Sequence, residues 1–213
     1  MKITTRGIQA TREDPTMRKV IVTEWMSLDG VVQAPGEPDE DLTGGFQHGG
    51  WHLGYFDDIS MGWVVKNLTE AGGFLLGRRT YEGFAGHWPN AAEEEQFVAR
   101  PLNSKPKYVA STTLTDPLEW EHSTVLQGDV AEAVLALKQE EGADLLLIGS
   151  TQLAKTLFEH DLVDEYRLMI DPVVLGGGKR LFHDDGALRP LRLVDSQVVS
   201  TGAILATYEP VRA

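Results

Sequence analysis

The 213-residue chain contains no cysteine, which excludes disulfides, thiolate metal sites and cysteine nucleophiles. It also has no apolar run near the roughly 20 residues that a membrane-spanning helix needs. No apolar block precedes Met17, so we expect no signal peptide. These absences are compatible with a cytoplasmic location, which is our prediction.

Basic residues are scarce, since 19 Lys and Arg face 32 Asp and Glu, for a net charge of −13. A surface this negative repels phosphate backbones and anionic membranes. We therefore expect neither nucleic acid nor a membrane as a partner. A small phosphorylated ligand remains compatible wherever a few arginines are concentrated.

The order of strand-like and helical patterns predicts an α/β fold. Strands and helices alternate up to about residue 170, and two β-like runs, residues 192–200 and 203–208, follow without a helix between them. This order predicts a mostly parallel central sheet flanked by helices, with an antiparallel C-terminal hairpin. We expect residues 1–16 to be a loose N-terminal extension and residues 17–213 to form a single domain.

One helix and one long loop bear on function. Residues 55–70 are predicted to form a helix with a buried stripe of Ile59, Trp63, Val64 and Leu68. The segment before it is long and rich in Gly, Pro and acidic residues, as functional loops often are. We expect residues 31–50 to act as a lid over a ligand site.

Three predicted strands end in small, hydroxyl or basic residues, at segments 77–80, 110–112 and 148–151. Ligands of parallel sheets bind beyond the carboxyl ends of the strands. A helix that starts there offers free N–H groups to a phosphate, and Arg78 and Arg79 add two cations. Each segment alone also fits a helix cap or a turn. Together they predict a phosphate-binding edge.

Several other motifs do not support a site. The chain has no G-x-G-x-x-G after a strand, and residues 176–180, GGGKR, lack the Ser or Thr of a P-loop, so a turn is the better interpretation. His48 and His52 are four residues apart but enclose two glycines, which favours a coincidence within a loop over a metal site. We predict no metal.

Several stretches occur in the order seen in a known family: residues 26–30, 49–51, 76–82, 148–150, 162–165 and 172–176. On these motifs, LGRRTYE above all, the chain resembles the dihydrofolate reductase-like superfamily. The resemblance is to the branch related to the reductase domain of the bacterial riboflavin-biosynthesis protein. It spans about residues 18–208 and implies NADPH as cofactor, lying across the carboxyl edge of the sheet.

The resemblance also assigns cofactor contacts. The residues expected to hold the cofactor's phosphates are Gly77, Arg78, Arg79 and Thr80, with Arg78 nearest the 2′-phosphate. Those expected along the adenosine are Ser111 and Thr112. Those expected under the pyrophosphate are Gly149, Ser150, Thr151 and Leu153. Those expected to flank the nicotinamide are Val32 and the backbone of Trp25 and Met26.

The substrate side departs from the family pattern. Dihydrofolate reductases have two adjacent glycines where this chain has Gly149 and Ser150. Asp57 and Asp58 are approximate counterparts of the acid that binds the pterin, and are our candidate catalytic residues. Capping of the helix is their alternative role. Trp51 is expected either to stack on the substrate or to be a half-buried core residue.

The resemblance implies an NADPH-dependent reductase of a small heterocyclic substrate that is pyrimidine-, pterin- or flavin-like. Its activity would be similar to that of 5-amino-6-(5-phosphoribosylamino)uracil reductase or dihydrofolate reductase. The cytidine-deaminase-like partner domain of the bifunctional riboflavin enzymes is missing, because its zinc signature needs cysteine. The alternative is a nucleotide-binding module of this fold without catalysis. The resemblance and an exposed C-terminal strand edge predict a homodimer.

Overall fold

Eight strands form the single sheet of the computed structural model, which describes residues 17–212. The strands are β1 Val20–Ser27, β2 Gly73–Gly77, β3 Lys107–Ala110, β4 Ser123–Val125, β5 Leu145–Ile148, β6 Glu165–Asp171, β7 Leu191–Val198 and β8 Ile204–Pro210. The helices are α1 Asp58–Glu70, α2 Arg78–His87, α3 Gln96–Ser104, α4 Val130–Gln139 and α5 Thr151–Glu159. The N-terminal extension expected at residues 1–16 lies outside the described residues.

The strand order is β4-β3-β2-β5-β1-β6-β8-β7. From β4 to β6 every neighbouring pair is parallel, whereas β8 pairs antiparallel with both β6 and β7. The prediction of a mostly parallel sheet with an antiparallel C-terminal hairpin is therefore confirmed. The carboxyl ends of β1, β2, β3 and β5 meet at one edge, as in other parallel sheets.

Helices cover both faces of the parallel strands. On one face α4 and α5 bury residues such as Val134 and Leu157 against Val22 and Leu147. On the other face α1, α2 and α3 pack against a second cluster that includes Phe74. Because β5 is buried on both faces, its sequence LLLI is continuously apolar rather than alternating.

Helix α1 differs from its prediction in both its start and its buried face. It begins at Asp58, and residues 53–55 form a separate short turn of 3-10 helix. Leu68 is buried as predicted, and Trp63 and Val64 are partly buried against core clusters, also as predicted. Ile59 is instead exposed, and the polar residues Ser60 and Asn67 are buried. Polar residues occupy that face because each has a partner there; Arg167, for example, donates to the side chain of Asn67 over 2.7 Å.

Helix α3 has no counterpart in the sequence-based prediction. Pro101 lies inside it and lacks a backbone N–H, which makes the segment a poor helix by pattern alone. Buried Ala99 and Leu102 hold it on the sheet, and Lys107 caps its carboxyl end by donating to the carbonyl of Leu102 over 2.9 Å. Tertiary packing therefore overrides the local preference here.

Strand β7 forms the outer edge of the sheet. Most of its side chains are exposed, including Leu193, Val194 and Val198, the last with 68% of its surface accessible. A β-bulge interrupts its pairing with β8 between Leu193 and Asp195. Within residues 17–212 no helix has the length and apolarity to cross a bilayer.

Candidate active site

Two of the predicted phosphate-binding segments lie in direct contact. The backbone N–H of Gly77, at the end of β2, donates to the hydroxyl of Ser150, after β5, over 2.8 Å. The same hydroxyl lies 3.0 Å from the hydroxyl of Thr80 in the first turn of α2. The turns that lead into α2 and α5 therefore form one continuous surface at the edge of the sheet.

The turn after β5 depends on a left-handed backbone. Gly149 has φ of 57° and Ser150 has φ of 63°. A Cβ on Gly149 would lie 3.2 Å from the Thr80 hydroxyl, so glycine is needed both for its conformation and for the close approach. Ser150 adopts a left-handed conformation despite its Cβ, and its hydroxyl joins the two turns.

Both helices start without a side-chain cap among the described residues. The N-cap of α2 is Gly77, which has no side chain, and the N-cap of α5 is Ser150, whose hydroxyl accepts no hydrogen bond from its own helix. Capping is therefore not the role of Ser150, whose hydroxyl contacts Gly77 and Thr80 instead. The first N–H groups of two helices remain available to an anion, with the positive end of each helix dipole behind them.

The other predicted phosphate and adenosine contacts are arranged less directly. Arg78 is exposed and forms an ion pair with Glu82 at 3.1 Å, while Arg79 lies 4.0 Å from the lid residue Asp41. The Ser111 hydroxyl accepts from the N–H groups of two following residues in a local turn, at 2.9 and 3.1 Å. Thr112 beside it is exposed. The adenosine contacts of Ser111 and Thr112 stay a prediction.

The remaining predicted pyrophosphate contacts belong to α5. Thr151 is half-buried in the first turn, next to the free N–H groups, and Leu153 is buried in the core below the helix. Leu153 thus supports the turn from beneath. Whether either residue touches a cofactor stays a prediction.

The end of β1 offers free backbone groups beside this surface. Its pairing with β5 ends at Thr23, whereas its pairing with β6 continues to Ser27. Within residues 17–212, the edge of Trp25 and Met26 that faces β5 therefore has no strand partner. Val32 is buried next to Met26 in the same cluster. The nicotinamide contacts of Trp25, Met26 and Val32 stay a prediction.

The lid, residues 31–50, is organised by the buried side chain of Gln33. Its amide nitrogen donates to the carbonyls of Asp41 and Thr43 at 2.9 and 3.0 Å, and its amide oxygen accepts from the backbone of Lys179 at 2.9 Å. Trp51 donates from its indole to the Gln33 carbonyl over 2.9 Å. A cavity of about 570 Å³ separates the lid from the glycine-rich turn at residues 175–179.

Asp57, one of the two candidate acids, caps α1. Its carboxylate accepts from the backbone of Ser60 at 2.9 Å and from the hydroxyl and backbone of Ser200 at 2.6 and 3.0 Å. These bonds, that from the Ser200 hydroxyl first, hold the pKa of Asp57 well below its usual range. A carboxylate that stays ionised is a poor proton donor. These contacts favour the capping role, and catalysis by Asp57 or the exposed Asp58 stays a prediction.

The sequence interpretation missed a buried, hydrogen-bonded pair of titratable side chains. His52 Nδ1 lies 2.7 Å from Asp171 Oδ2 at the end of β6, and the two side chains are 1% and 0% exposed. The sequence did not lead us to expect a metal site made of His48 and His52. In the structure His52 is bonded instead to Asp171, which lies 119 positions further along the chain. No motif links the two residues. Burial raises the pKa of Asp171, and the hydrogen bond from His52 opposes that shift.

Glu24 is a second buried acid that was not predicted. It is 6% exposed, and its Oε1 has no hydrogen-bond partner in the described part of the chain. Burial first, and then the negative charge of Glu40, raise its pKa well above the usual range. Because side chains alternate along a strand, Glu24 faces the α4 and α5 side and Trp25 the α1 side.

The sequence matches the RibD C-terminal domain family over residues 18–205. Among curated proteins, the uncharacterised Bacillus subtilis protein YyaP is 30% identical over 195 residues, with 90% of this chain and 94% of YyaP covered. The uncharacterised B. subtilis protein YwjB is 29% identical over 167 residues, with 78% of this chain and 84% of YwjB covered.

Solved structures agree with the fold. A candidate riboflavin biosynthesis protein of Shewanella sp. PV-4 superposes with a TM-score of 0.64 at 22% identity, covering 91% of this chain and 99% of that protein. A pyrimidine reductase-like protein of Corynebacterium diphtheriae gives a TM-score of 0.60 at 13% identity, covering 92% and 93%.

Proposed function

The chain belongs to the RibD C-terminal domain family, for which a reductase-type function is indicated, and we propose that it is an NADPH-dependent reductase of a small heterocyclic substrate. The observation that carries this proposal is the contact between the two uncapped helix starts, through Gly77, Thr80 and Ser150. That surface is suited to a pyrophosphate, and the free edge of Trp25 and Met26 lies beside it. When bound, the cofactor supplies the hydride.

The preference for NADPH over NADH rests on local charge. In a chain with a net charge of −13, Arg78 and Arg79 stand side by side at the start of α2. A guanidinium binds a 2′-phosphate through charge-assisted hydrogen bonds, and NADH has no phosphate at that position. The ion pair with Glu82 is exposed, so Arg78 exchanges it for a phosphate at small cost.

Fluorescence titration with NADPH and NADH tests this preference. We expect wild-type protein to bind NADPH more tightly, and Arg78→Ala to weaken NADPH binding by about 1.5–3 kcal/mol, the usual contribution of a hydrogen bond to a charged group. NADH binding should barely change. Arg100→Ala, which removes an exposed arginine from α3, is the control for net charge. Equal losses for both cofactors would remove the 2′-phosphate assignment.

The alternative, a nucleotide-binding module without catalysis, draws support from one observation. Asp57 is committed to its helix cap, which leaves only the exposed Asp58 at the position where the superfamily places an acid. Following NADPH oxidation with pyrimidine, pterin and flavin substrates separates the two proposals. Binding of NADPH without oxidation by any member of such a panel would favour the module.

We further propose that residues 17–213 form one domain and that the protein is a homodimer built on β7. That strand exposes Leu193, Val194 and Val198 along an unpaired sheet edge. Light scattering at micromolar concentration should give twice the chain mass of 23.5 kDa, and Val198→Lys should shift the protein towards monomer. A monomeric wild type would reject the dimer.

A further inference from the structure

The His52–Asp171 pair lies at the carboxyl edge of the sheet, on the side of β1 where α1 begins. Trp25 pairs in register with Met169, and both pack in one cluster with Phe56. Asp171 follows Met169 by two residues and therefore points to the same face. The imidazole of His52 stacks on Trp25 with ring centroids 4.1 Å apart and planes inclined by 13°.

Two polar atoms of this pair are buried without a partner. Within residues 17–212, neither His52 Nε2 nor Asp171 Oδ1 makes a hydrogen bond. A buried polar atom left unpaired costs about 1–3 kcal/mol, so native proteins keep few of them without a functional reason. The hydrogen bond that Nδ1 donates to Asp171 fixes the imidazole and directs Nε2 away from the carboxylate.

The surroundings of the pair specify a class of ligand. Besides Trp25, the rings of Phe56 and Trp51 lie edge-on to His52, at centroid distances of 5.2 and 6.2 Å. Aromatic walls favour flat rings, and the unpaired Nε2 needs a hydrogen-bonding atom. Both requirements are met by a planar nitrogen heterocycle that presents a ring nitrogen or a carbonyl oxygen.

We propose that His52 and Asp171 form the polar subsite for the heterocyclic substrate, with His52 Nε2 bound to the heteroatom of the double bond that is reduced. The proposal rests on the reductase function given above. A bound nicotinamide would supply the hydride, that is two electrons and one hydrogen, to the carbon of that bond and would itself be oxidised. The heteroatom takes its proton from Nε2 of the protonated imidazole, and the neutral imidazole then regains a proton from water.

The lid controls access to this subsite. The backbone N–H of His52 donates to the carbonyl of Pro35 over 3.2 Å, and that of Gly50 donates to the carbonyl of Ala34 over 2.9 Å. His52 is 1% exposed, so a heterocycle reaches Nε2 only when a covering segment moves, and the hydrogen-bonded lid is the segment that we propose moves. Substrate entry and exposure of the proton donor are thereby coupled.

A matched pair of variants separates chemistry from packing. In His52→Asn the amide can replace Nδ1 and keep the bond to Asp171, but nothing replaces Nε2. In His52→Gln the longer amide reaches towards the Nε2 position and gives up the bond to Asp171. We expect His52→Asn to lower kcat about 100-fold, within the usual contribution of a general acid, and to leave NADPH affinity unchanged. His52→Gln should retain substrate KM better than kcat.

His87→Asn is the control, because His87 also pairs with a carboxylate, Glu95, at 3.0 Å, but at the far end of α2. It should change neither kcat nor KM. If His52→Asn keeps wild-type turnover, the pair is merely structural and the proposal is wrong. If His52→Asn fails to fold, His52→Gln and the spectroscopic measurement below decide.

Nitrogen-15 NMR of the imidazole gives a readout that does not depend on turnover. With NADP⁺ present, addition of pterin, 5-aminouracil or riboflavin should shift the resonance of His52 Nε2. The resonance of Nδ1 should stay in place, because Nδ1 remains hydrogen-bonded to Asp171. Such a shift without NADPH oxidation would support the subsite and reject the reductase function. Oxidation of NADPH without any shift at Nε2 would do the reverse. No shift with any of the three compounds overturns the subsite.

Discussion

The two ends of the candidate site are formed by different kinds of chemical group. The proposed phosphate end consists of backbone N–H groups and small side chains at the starts of α2 and α5, joined through Ser150. The proposed substrate end consists of buried side chains, in which His52 and Asp171 are enclosed by aromatic rings. Phosphates are recognised by N–H donors that any residue has, whereas a proton donor must be a particular side chain.

This difference determines how each end tolerates substitution. At the phosphate end, the position of the N–H groups depends on backbone conformation, so an added Cβ disturbs folding and cofactor binding together. At the substrate end, an isosteric change in a side chain can remove chemistry and leave the fold intact. Variants that separate stability from activity should therefore occur mainly at the substrate end.

Gly149→Ala has the largest expected effect on the phosphate end. Its left-handed φ of 57° and the Thr80 hydroxyl 3.2 Å from the new Cβ both disfavour alanine. We expect the free energy of unfolding to fall by about 1–2 kcal/mol, the cost of a left-handed non-glycine residue. NADPH affinity should fall as well. Urea unfolding and fluorescence titration measure the two losses.

Gly83→Ala is the matched control for that experiment. Gly83 lies inside α2, and a Cβ there would meet no atom within 4 Å. Alanine should stabilise the helix by about 0.5–1 kcal/mol and leave NADPH binding unchanged. If the two variants behaved alike, the turn after β5 would not depend on a left-handed glycine.

Much of the fold was predictable because its signals are local. The buried run of β5, the N-cap of α4 at Asp129 and the turn at Gly202 each act through adjacent residues. The polar part of the inward face of α1 was not predictable, because the buried side chain of Asn67 accepts its hydrogen bond from Arg167 of the distant strand β6. Hydrophobic periodicity cannot predict the burial of a polar residue whose hydrogen-bond partner is distant in the sequence.

The candidate site shows the same contrast between local signals and contacts between distant residues. The two turns in contact at the phosphate end could be found because each repeats a strand, a glycine, a hydroxyl residue and a helix. The substrate end could not, since His52 and Asp171 are 119 residues apart and no local pattern marks either one. Asp57 was selected by position, and its contacts to Ser60 and Ser200 form the cap of α1, the alternative role that the sequence also allowed.

The acids near the substrate end provide the smaller test. The resemblance alone predicts that the double variant Asp57→Asn with Asp58→Asn keeps NADPH affinity within about threefold and loses at least about tenfold in turnover, as for a general acid. If Asp57 is only a cap, Asp57→Ala should lower the melting temperature and leave kcat nearly unchanged. Asp58→Ala should do neither, because Asp58 is exposed.

The pH dependence of stability tests the same assignment. The pKa of Asp57 is lowered by its bonds to Ser200 and Ser60, so the folded state favours the ionised form. That stabilisation is fully present above the ordinary carboxyl pKa of about 3.9 and is lost as pH falls through the lower folded value. Asp57→Ala should therefore be destabilised relative to wild type at pH 7, and the difference should shrink as the pH falls below 4. If Asp57→Ala instead lost about tenfold or more in kcat with an unchanged melting temperature, Asp57 would be the catalytic acid. The proton donor of the substrate end would then be a residue that the sequence had identified.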